Sequence, residues 1–157
     1  MRTRAMAVIV TLGILAACGG GGPTGPALTR AQLVDKVNAE CLKLASAGND
    51  LVAAQDPIAQ GTQVSKYLHA AASQLRARVG DIAQLVPPAN LAGQVAQFVS
   101  LLNNYAGQLD ALANGVRSGE TYEALLSRSG SQVSALNGLS DQSNKIAANL
   151  NFKDCAT

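Results

Sequence analysis

Apolar residues recur at helical spacing along most of this chain. The clearest stretch lies between residues 91 and 116, where apolar side chains follow one another at alternating intervals of four and three positions. This spacing places them on one face of a helix and predicts shallow, nearly antiparallel packing against its neighbours. Asn90 is expected to cap this helix. The seam consists of Leu91, Val95, Phe98, Leu102, Tyr105, Leu109, Leu112 and Val116.

An earlier helix is predicted to begin at Thr29. Thr29 and Gln32 have the spacing of a capping box, and Leu28 and Leu33 have the spacing of the hydrophobic staple that accompanies one. Gly48-Asn49 is expected to weaken this helix. Its apolar face carries Leu33, Val37, Cys41 and Leu44.

The second predicted helix runs from about Thr62 to Leu85. Val86-Pro87-Pro88 stops it, because the residue before a proline avoids helical geometry. Its inward positions are Val64, Leu68, Ala71, Leu75, Val79 and Ile82.

The fourth predicted helix follows Ser118-Gly119. Glu120 and Glu123 lie where the positive end of its dipole would stabilise them, and Gly130 and Gly138 are expected to bend it. Its inward positions are Leu126, Val133, Leu136, Ile146 and Leu150.

These patterns predict an all-α domain over residues 28–157. No stretch alternates apolar and polar residues as a strand would, and the connections between the predicted helices are short. The expected architecture is an up-down-up-down four-helix bundle. Because its interior is largely Ala, Val and Leu, we expect the helices to approach closely and leave little cavity.

The first 17 residues have the pattern of a signal peptide. Arg2 and Arg4 precede an uncharged run over residues 5–17, which is too short for a membrane-spanning helix. The run ends in Leu15-Ala16-Ala17-Cys18, which resembles the lipobox of bacterial lipoproteins at all four positions. That resemblance implies cleavage before Cys18 and lipidation of its thiol. The alternative is a plain secretory signal followed by an ordinary cysteine.

Residues 18–27 are expected to tether the domain to a membrane. The two or three acyl chains of a processed lipoprotein cysteine would anchor it lastingly. The Gly- and Pro-rich stretch from Gly19 to Pro26 is a flexible linker with a reach of about 15 Å. Resemblance to Gram-negative sorting favours the outer membrane for a cysteine followed by Gly19. The predicted location is therefore the cell membrane or outer membrane, with the domain in the periplasm or at the cell surface.

If Cys18 is lipidated, Cys41 and Cys155 remain as an even pair in an oxidising compartment. A disulfide between them is predicted, and two buried thiols are the alternative. Cys41 lies about 18 Å along the first helix, so the C-terminal tail would have to turn back and climb that helix. Asn151 suits such a reversal, since Asn tolerates the left-handed conformation.

Two end motifs resemble a group of small helical exported proteins common in actinobacteria and similar high-GC bacteria. The motifs are Leu28-Thr29-Arg30-Ala31, with Cys41 about ten residues on, and the terminal Asn-Phe-Lys-Asp-Cys of residues 151–155. The likeness covers the two ends of the domain. It supports the helical bundle and the disulfide, and it implies no activity.

No constellation of residues indicates catalysis, a cofactor or a metal. His69 is the one histidine of the chain, next to inward Leu68, and is expected at the boundary of the core. Two cysteines and one distant histidine make a poor zinc set. The chain lacks Cys-x-x-Cys-His, Glu-x-x-His and Gly-x-Ser-x-Gly. The chain is therefore interpreted as not being an enzyme.

The charge balance argues against nucleic acid as a partner. The chain carries 12 Lys and Arg against 10 Asp and Glu, and Arg2 and Arg4 would leave with the signal peptide. Two functions remain: a non-catalytic structural or protein-interaction module with an envelope partner, or a carrier or sensor of a small apolar ligand held between the helices. Exposed Tyr67, Tyr105 or Tyr122 clustered with leucines would favour the first function, and an interhelical pocket of several hundred cubic ångströms with converging polar groups would favour the second.

Replacing Cys18 with serine is expected to leave an unprocessed precursor without acyl chains, because serine cannot form the thioether. Incorporation of labelled fatty acid and the intact mass measure this. A variant with Cys41 and Cys155 both replaced by serine is the control and should still be labelled. Normal maturation of Cys18→Ser would contradict the lipoprotein interpretation.

Overall fold

The computed structural model describes residues 25–155, apart from the side chains of residues 45–47. The predicted signal peptide and Cys18 lie outside these residues, as does most of the linker. The described part is all-helical and contains no strand. Its α-helices are α1 (Arg30–Lys43), α2 (Ala45–Ala54), α3 (Thr62–Ala83), α4 (Ala92–Asn114), α5 (Tyr122–Arg128) and α6 (Gly130–Leu150), followed by a 3₁₀ turn at Lys153–Cys155.

The start of α1 has the predicted capping box. The backbone N–H of Gln32 donates to the Thr29 hydroxyl (3.3 Å), and the Thr29 N–H donates to the Gln32 side chain (2.9 Å). Leu33 is fully buried, and the half-buried Leu28 packs on the same cluster. The Leu28 N–H also bonds the carbonyl of Val86 (2.9 Å), which joins the beginning of the domain to the α3–α4 loop.

The first predicted helix breaks before Gly48-Asn49, where it was expected to weaken, and helical structure then continues beyond that pair. The break falls at Leu44, whose N–H donates to the carbonyl of Cys41 (2.9 Å) in a tight i→i+3 turn. The next helix, α2, then runs through Gly48-Asn49 to Ala54, because one glycine costs a helix only about 1 kcal/mol. It stops before Pro57.

The expected cap of α4 by Asn90 is wrong. Leu91 is the N-cap residue and makes no side-chain cap hydrogen bond. The N–H groups of Leu91 and Ala92 donate instead to the carbonyl of Pro88 (2.8 and 3.1 Å). The carbonyl of Pro88 thus accepts from two N–H groups at the start of α4, and that of Ala92 is one that an Asn90 cap would have bound.

The fourth predicted helix consists of two helices. Thr121 caps α5, its hydroxyl accepting from the N–H of Ala124 (3.3 Å), and the break at Ser129 comes one residue before the bend expected at Gly130. In α5 the fully buried residue is Leu125, whereas Leu126, which was predicted to point inward, is half-buried.

Glu120 has a partner other than the helix dipole. It accepts from the guanidinium of Arg128 (2.8 Å) and from the backbone N–H of Arg117 (2.8 Å). These bonds, that of Arg128 first, lower the pKa of Glu120 to about 2. The ion pair connects the loop before α5 to the end of that helix.

Helix α3 is the centre of the packing. It packs against both α2 and α4, and α4 also packs on α6. The six predicted inward positions of α3 are all buried. The α4 seam is buried at Leu91, Val95, Phe98, Leu109 and Leu112 and half-buried at Leu102, Tyr105 and Val116. No helix between residues 25 and 155 is long and apolar enough to cross a membrane.

The C-terminal tail folds back over α1. Asn151 is left-handed (φ 66°), and the N–H groups of Asn151 and Phe152 donate to the carbonyls of Ala148 (3.2 Å) and Ala147 (2.8 Å). This pair of bonds is a Schellman motif. It directs Phe152 into the core, where its ring lies 5.6 Å from that of Phe98.

The turn brings Cys155 to Cys41, and the structure joins them in a disulfide with their Cα atoms 5.0 Å apart. The Asp154 N–H donates to the Asn38 side chain (3.3 Å), so the tail runs along α1 as the sequence requires for this pairing.

Replacing both Cys41 and Cys155 with serine is expected to lower the free energy of unfolding by about 2–5 kcal/mol, because the bond closes a long loop. Denaturant unfolding followed by circular dichroism measures this, and reduction of the unmodified protein should give a similar loss. Leu42→Ala, at a site 62% exposed, is the control and should change little. Two alkylatable thiols at Cys41 and Cys155 in the native protein prepared under oxidising conditions would contradict the bond.

Candidate functional site

His69 lies at the edge of the α3–α4 interface, as the sequence predicts for a boundary residue. Its Nδ1 is 2.8 Å from Oδ1 of Asp110, and Arg76 pairs with the other carboxylate oxygen. Burial raises the pKa of Asp110, but the hydrogen bonds from His69 and Arg76 outweigh it, and the pKa is lowered overall. The cluster ties two helices together and leaves neither carboxylate oxygen without a partner.

Sequence reasoning missed Asp110. Its position directly after inward Leu109 is the available signal, but the identity of its partners depends on how α3 and α4 align. Among the described residues, no three or more His, Cys, Asp or Glu side chains are grouped so that they could hold a metal ion.

The three tyrosines do not form an exposed patch. Tyr67, Tyr105 and Tyr122 are half-buried and pack against the apolar cluster between α3, α4 and α5. Burial raises the pKa of Tyr105, and burial together with Tyr105 raises that of Tyr122. These three tyrosines therefore do not form the exposed cluster that would indicate a protein interface.

A cleft of about 190 Å³ opens between α2, α3, α4 and α6. Its apolar wall is formed by one residue at the α1–α2 break and by side chains of α2, α3 and α4. Its polar side consists of Tyr105 and three residues of α6. The apolar residues are Leu44, Leu51, Ala71, Leu75, Leu102 and Leu109, and the polar residues of α6 are Ser140, Ser143 and Asn144.

The cleft contradicts the expectation of an interior with little cavity. Helix α2 packs mainly on α3, whereas α6 packs on α4, so the space between α2 and α6 is not closed by direct packing of these helices. The residues that line this space include Gly48, Ala71, Ser140 and Ser143. Such small side chains fill a gap only where helices approach closely.

The polar side of the cleft is neutral. Ser140, Ser143 and Asn144 lie on one face of α6, since their spacing is three and four residues. The Ser143 hydroxyl donates to the carbonyl of Ser140 (2.9 Å). Cys155 also lines the cleft, so the disulfide borders it.

Two other hollows have a different character. One of about 490 Å³ lies between the loop before α3 and the loop after α4 and is mostly polar. Another of about 340 Å³ is an apolar groove between the end of α3 and the start of α4, lined by Ile82, Pro87 and Val95 among others. The four-helix cleft alone among these three is lined by side chains of α2, α3, α4 and α6 together.

Comparisons with protein-family models, with characterised proteins and with solved structures find no match to this chain.

Replacing Arg76 with Gln is expected to raise the pKa of Asp110, because the positive charge of Arg76 and its charge-assisted hydrogen bond are lost. The lowered pKa means that the pair stabilises the fold above the ordinary carboxyl pKa, and that this contribution is lost as acid protonates Asp110. Carboxyl chemical shifts followed by NMR measure the change. Glu120, held by Arg128, is the control and should still titrate at about 2. An unchanged pKa of Asp110 in Arg76→Gln would contradict the ion pair between these two residues.

Proposed function

We propose that this chain is a membrane-tethered envelope lipoprotein whose helical domain is a non-catalytic module that binds a small apolar molecule. The observation that carries the proposal is the cleft between α2, α3, α4 and α6, with leucines on one side and neutral polar groups on the other. An apolar wall with a few polar groups is typical of small-molecule sites, although at about 190 Å³ this cleft is smaller than most of them.

The proposed architecture is an up-down-up-down four-helix bundle with two interrupted helices. In it α1 and α2 form the first helix, α3 the second, α4 the third, and α5 and α6 the fourth. Packing of α3 on both α2 and α4, and of α4 on α6, supports this arrangement. The interruptions at Leu44 and Ser129 flank the segments that surround the cleft.

The proposed anchor is the acylated Cys18, preceded by a signal peptide over residues 1–17. The hydrogen bond from Leu28 to Val86 fixes where the linker meets the domain, at the α3–α4 turn. With a reach of about 15 Å, the linker would keep this end close to the lipid headgroups.

The size of the cleft limits the affinity. A ligand that buries roughly 150–200 Å² of apolar surface gains at most about 4–5 kcal/mol, and the cost of association reduces this gain, so the Kd is expected to be on the order of 1 mM or weaker. Such an affinity suits a carrier or sensor that exchanges its ligand rapidly.

A structural or protein-interaction role is the second candidate. It is supported by exposed apolar side chains on α1, on α2 and in the loop after α2, namely Leu42 (62% exposed), Val52 (67%) and Ile58 (82%). An envelope protein would be the partner.

Ser143→Leu is expected to weaken hexanol binding at least about tenfold, because a larger side chain fills part of the cleft. The measurement is NMR titration of the lipidated protein in nanodiscs, with the free hexanol determined in the aqueous phase. Ser134→Leu, on an exposed position of the same helix, is the matched control and should bind normally.

Circular dichroism should show both variants folded. If hexanol shifts no cleft resonances, or if Ser143→Leu binds as well as the unmodified protein, the cleft is not the site. Loss of partner capture on placing charges at Val52 and Ile58 would then favour the interaction role.

A further inference from the structure

We propose that the cleft selects uncharged amphipathic molecules, with an apolar body of about one ring or a short alkyl chain and one hydroxyl or amide group. This inference rests on the proposed function and adds the chemical class of its ligand. It excludes carboxylates and amines of the same size.

The volume sets the size of the apolar body. An apolar cavity of roughly 150 Å³ accommodates one benzene-sized molecule, so a cleft of about 190 Å³ holds little more. Leu51, Leu75, Leu102 and Leu109 come from three different helices and would surround that body with branched aliphatic groups. A longer molecule would extend into solvent through the open side of the cleft.

The polar groups set the functional group of the ligand. Hydroxyls and a carboxamide both donate and accept hydrogen bonds, and the cleft has them at Ser140, Ser143 and Asn144 of α6. The Ser143 hydroxyl uses its proton on the carbonyl of Ser140, so its oxygen remains able to accept a bond from a ligand hydroxyl. A hydroxyl or amide on the ligand can meet these groups without a change of charge.

Because no described residue of the cleft lining is charged, we expect the cleft to exclude ionic ligands. Of the described residues that line the cleft, none is Asp, Glu, Lys, Arg or His. Of the carboxylates next to lining positions, Asp50 accepts a hydrogen bond from Gln74, Asp110 is bonded to His69 and Arg76, and Asp141 is exposed on α6. A ligand carboxylate or ammonium would lose hydration without gaining a counter-ion, which is unfavourable even in a partly open site.

Hexanol, hexanoate and hexylammonium differ in the head group and share the same alkyl chain, so they separate these effects. The test is to titrate each compound into the lipidated protein in nanodiscs at neutral pH. The NMR shifts of cleft residues are followed and related to the free aqueous concentration of the compound. Hexanol is expected to bind at least about tenfold more tightly than either ion.

Asn144→Asp places a negative charge in the cleft with almost no change of shape. In this variant hexylammonium should gain affinity relative to hexanol, and hexanoate should bind more weakly still. Asn137→Asp, at an exposed position of α6, is the matched control and should leave the order of the three ligands unchanged.

The outcomes separate the two proposals. Binding of hexanoate or hexylammonium as tightly as hexanol in the unmodified protein would overturn the selection for neutral ligands and leave the binding site standing. An unchanged ratio of hexylammonium to hexanol affinity in folded Asn144→Asp would also overturn it. Absence of cleft shifts with all three compounds would overturn the site and the inference together.

Discussion

The fold-back of the C-terminus is the constraint on which the rest of the structure depends. Three separate groups act within five residues: the left-handed Asn151 turns the chain, the buried Phe152 packs on Phe98 of α4, and Cys155 bonds Cys41 of α1. The tail therefore connects α1, α4 and α6. Together these contacts hold the tail along α1 and close the part of the core that contains Phe152.

The packing around the tail differs from that on the side of the domain where α2 lies. Leu33, Val37, Phe98 and Phe152 belong to one well-filled cluster around the tail. Beyond the break at Leu44, α2 packs mainly on α3, and the cleft begins there. The disulfide lies at the boundary, since Cys155 touches both the packed cluster and the cleft. The polar groups of the cleft that lie on α6 are next to this packed cluster, which keeps them in place. The opposite wall includes α2, which packs on fewer neighbours.

The composition of the domain and the character of the cleft agree with one another. Without the predicted signal peptide, acidic and basic residues balance, and Asp50 and Asp110, next to lining residues of the cleft, are bonded to side chains of α3. Long-range electrostatic attraction is therefore weak, and a ligand would be recognised by shape, by apolar contact and by a few hydrogen bonds. A membrane tether suits such a module, because molecules of this kind concentrate in and around the bilayer.

The sequence by itself determined those features that depend on neighbouring residues or on simple chemistry. The capping box at Thr29, the buried faces of α3 and α4, the turn at Asn151 and the pairing of the two cysteines follow from local hydrogen bonds, from periodicity and from counting thiols. The breaks at Leu44 and Ser129 and the cap at the carbonyl of Pro88 are local turns that the periodicity of apolar residues does not distinguish from continuous helix or from a cap at Asn90. The tertiary structure alone decided the partners of Asp110 and the cleft, because both depend on how helices far apart in the chain align, and small residues such as Gly48 and Ser143 fit a closed core as well as an open one. Only the packing of α2 on α3 and of α6 on α4 determines which of the two forms.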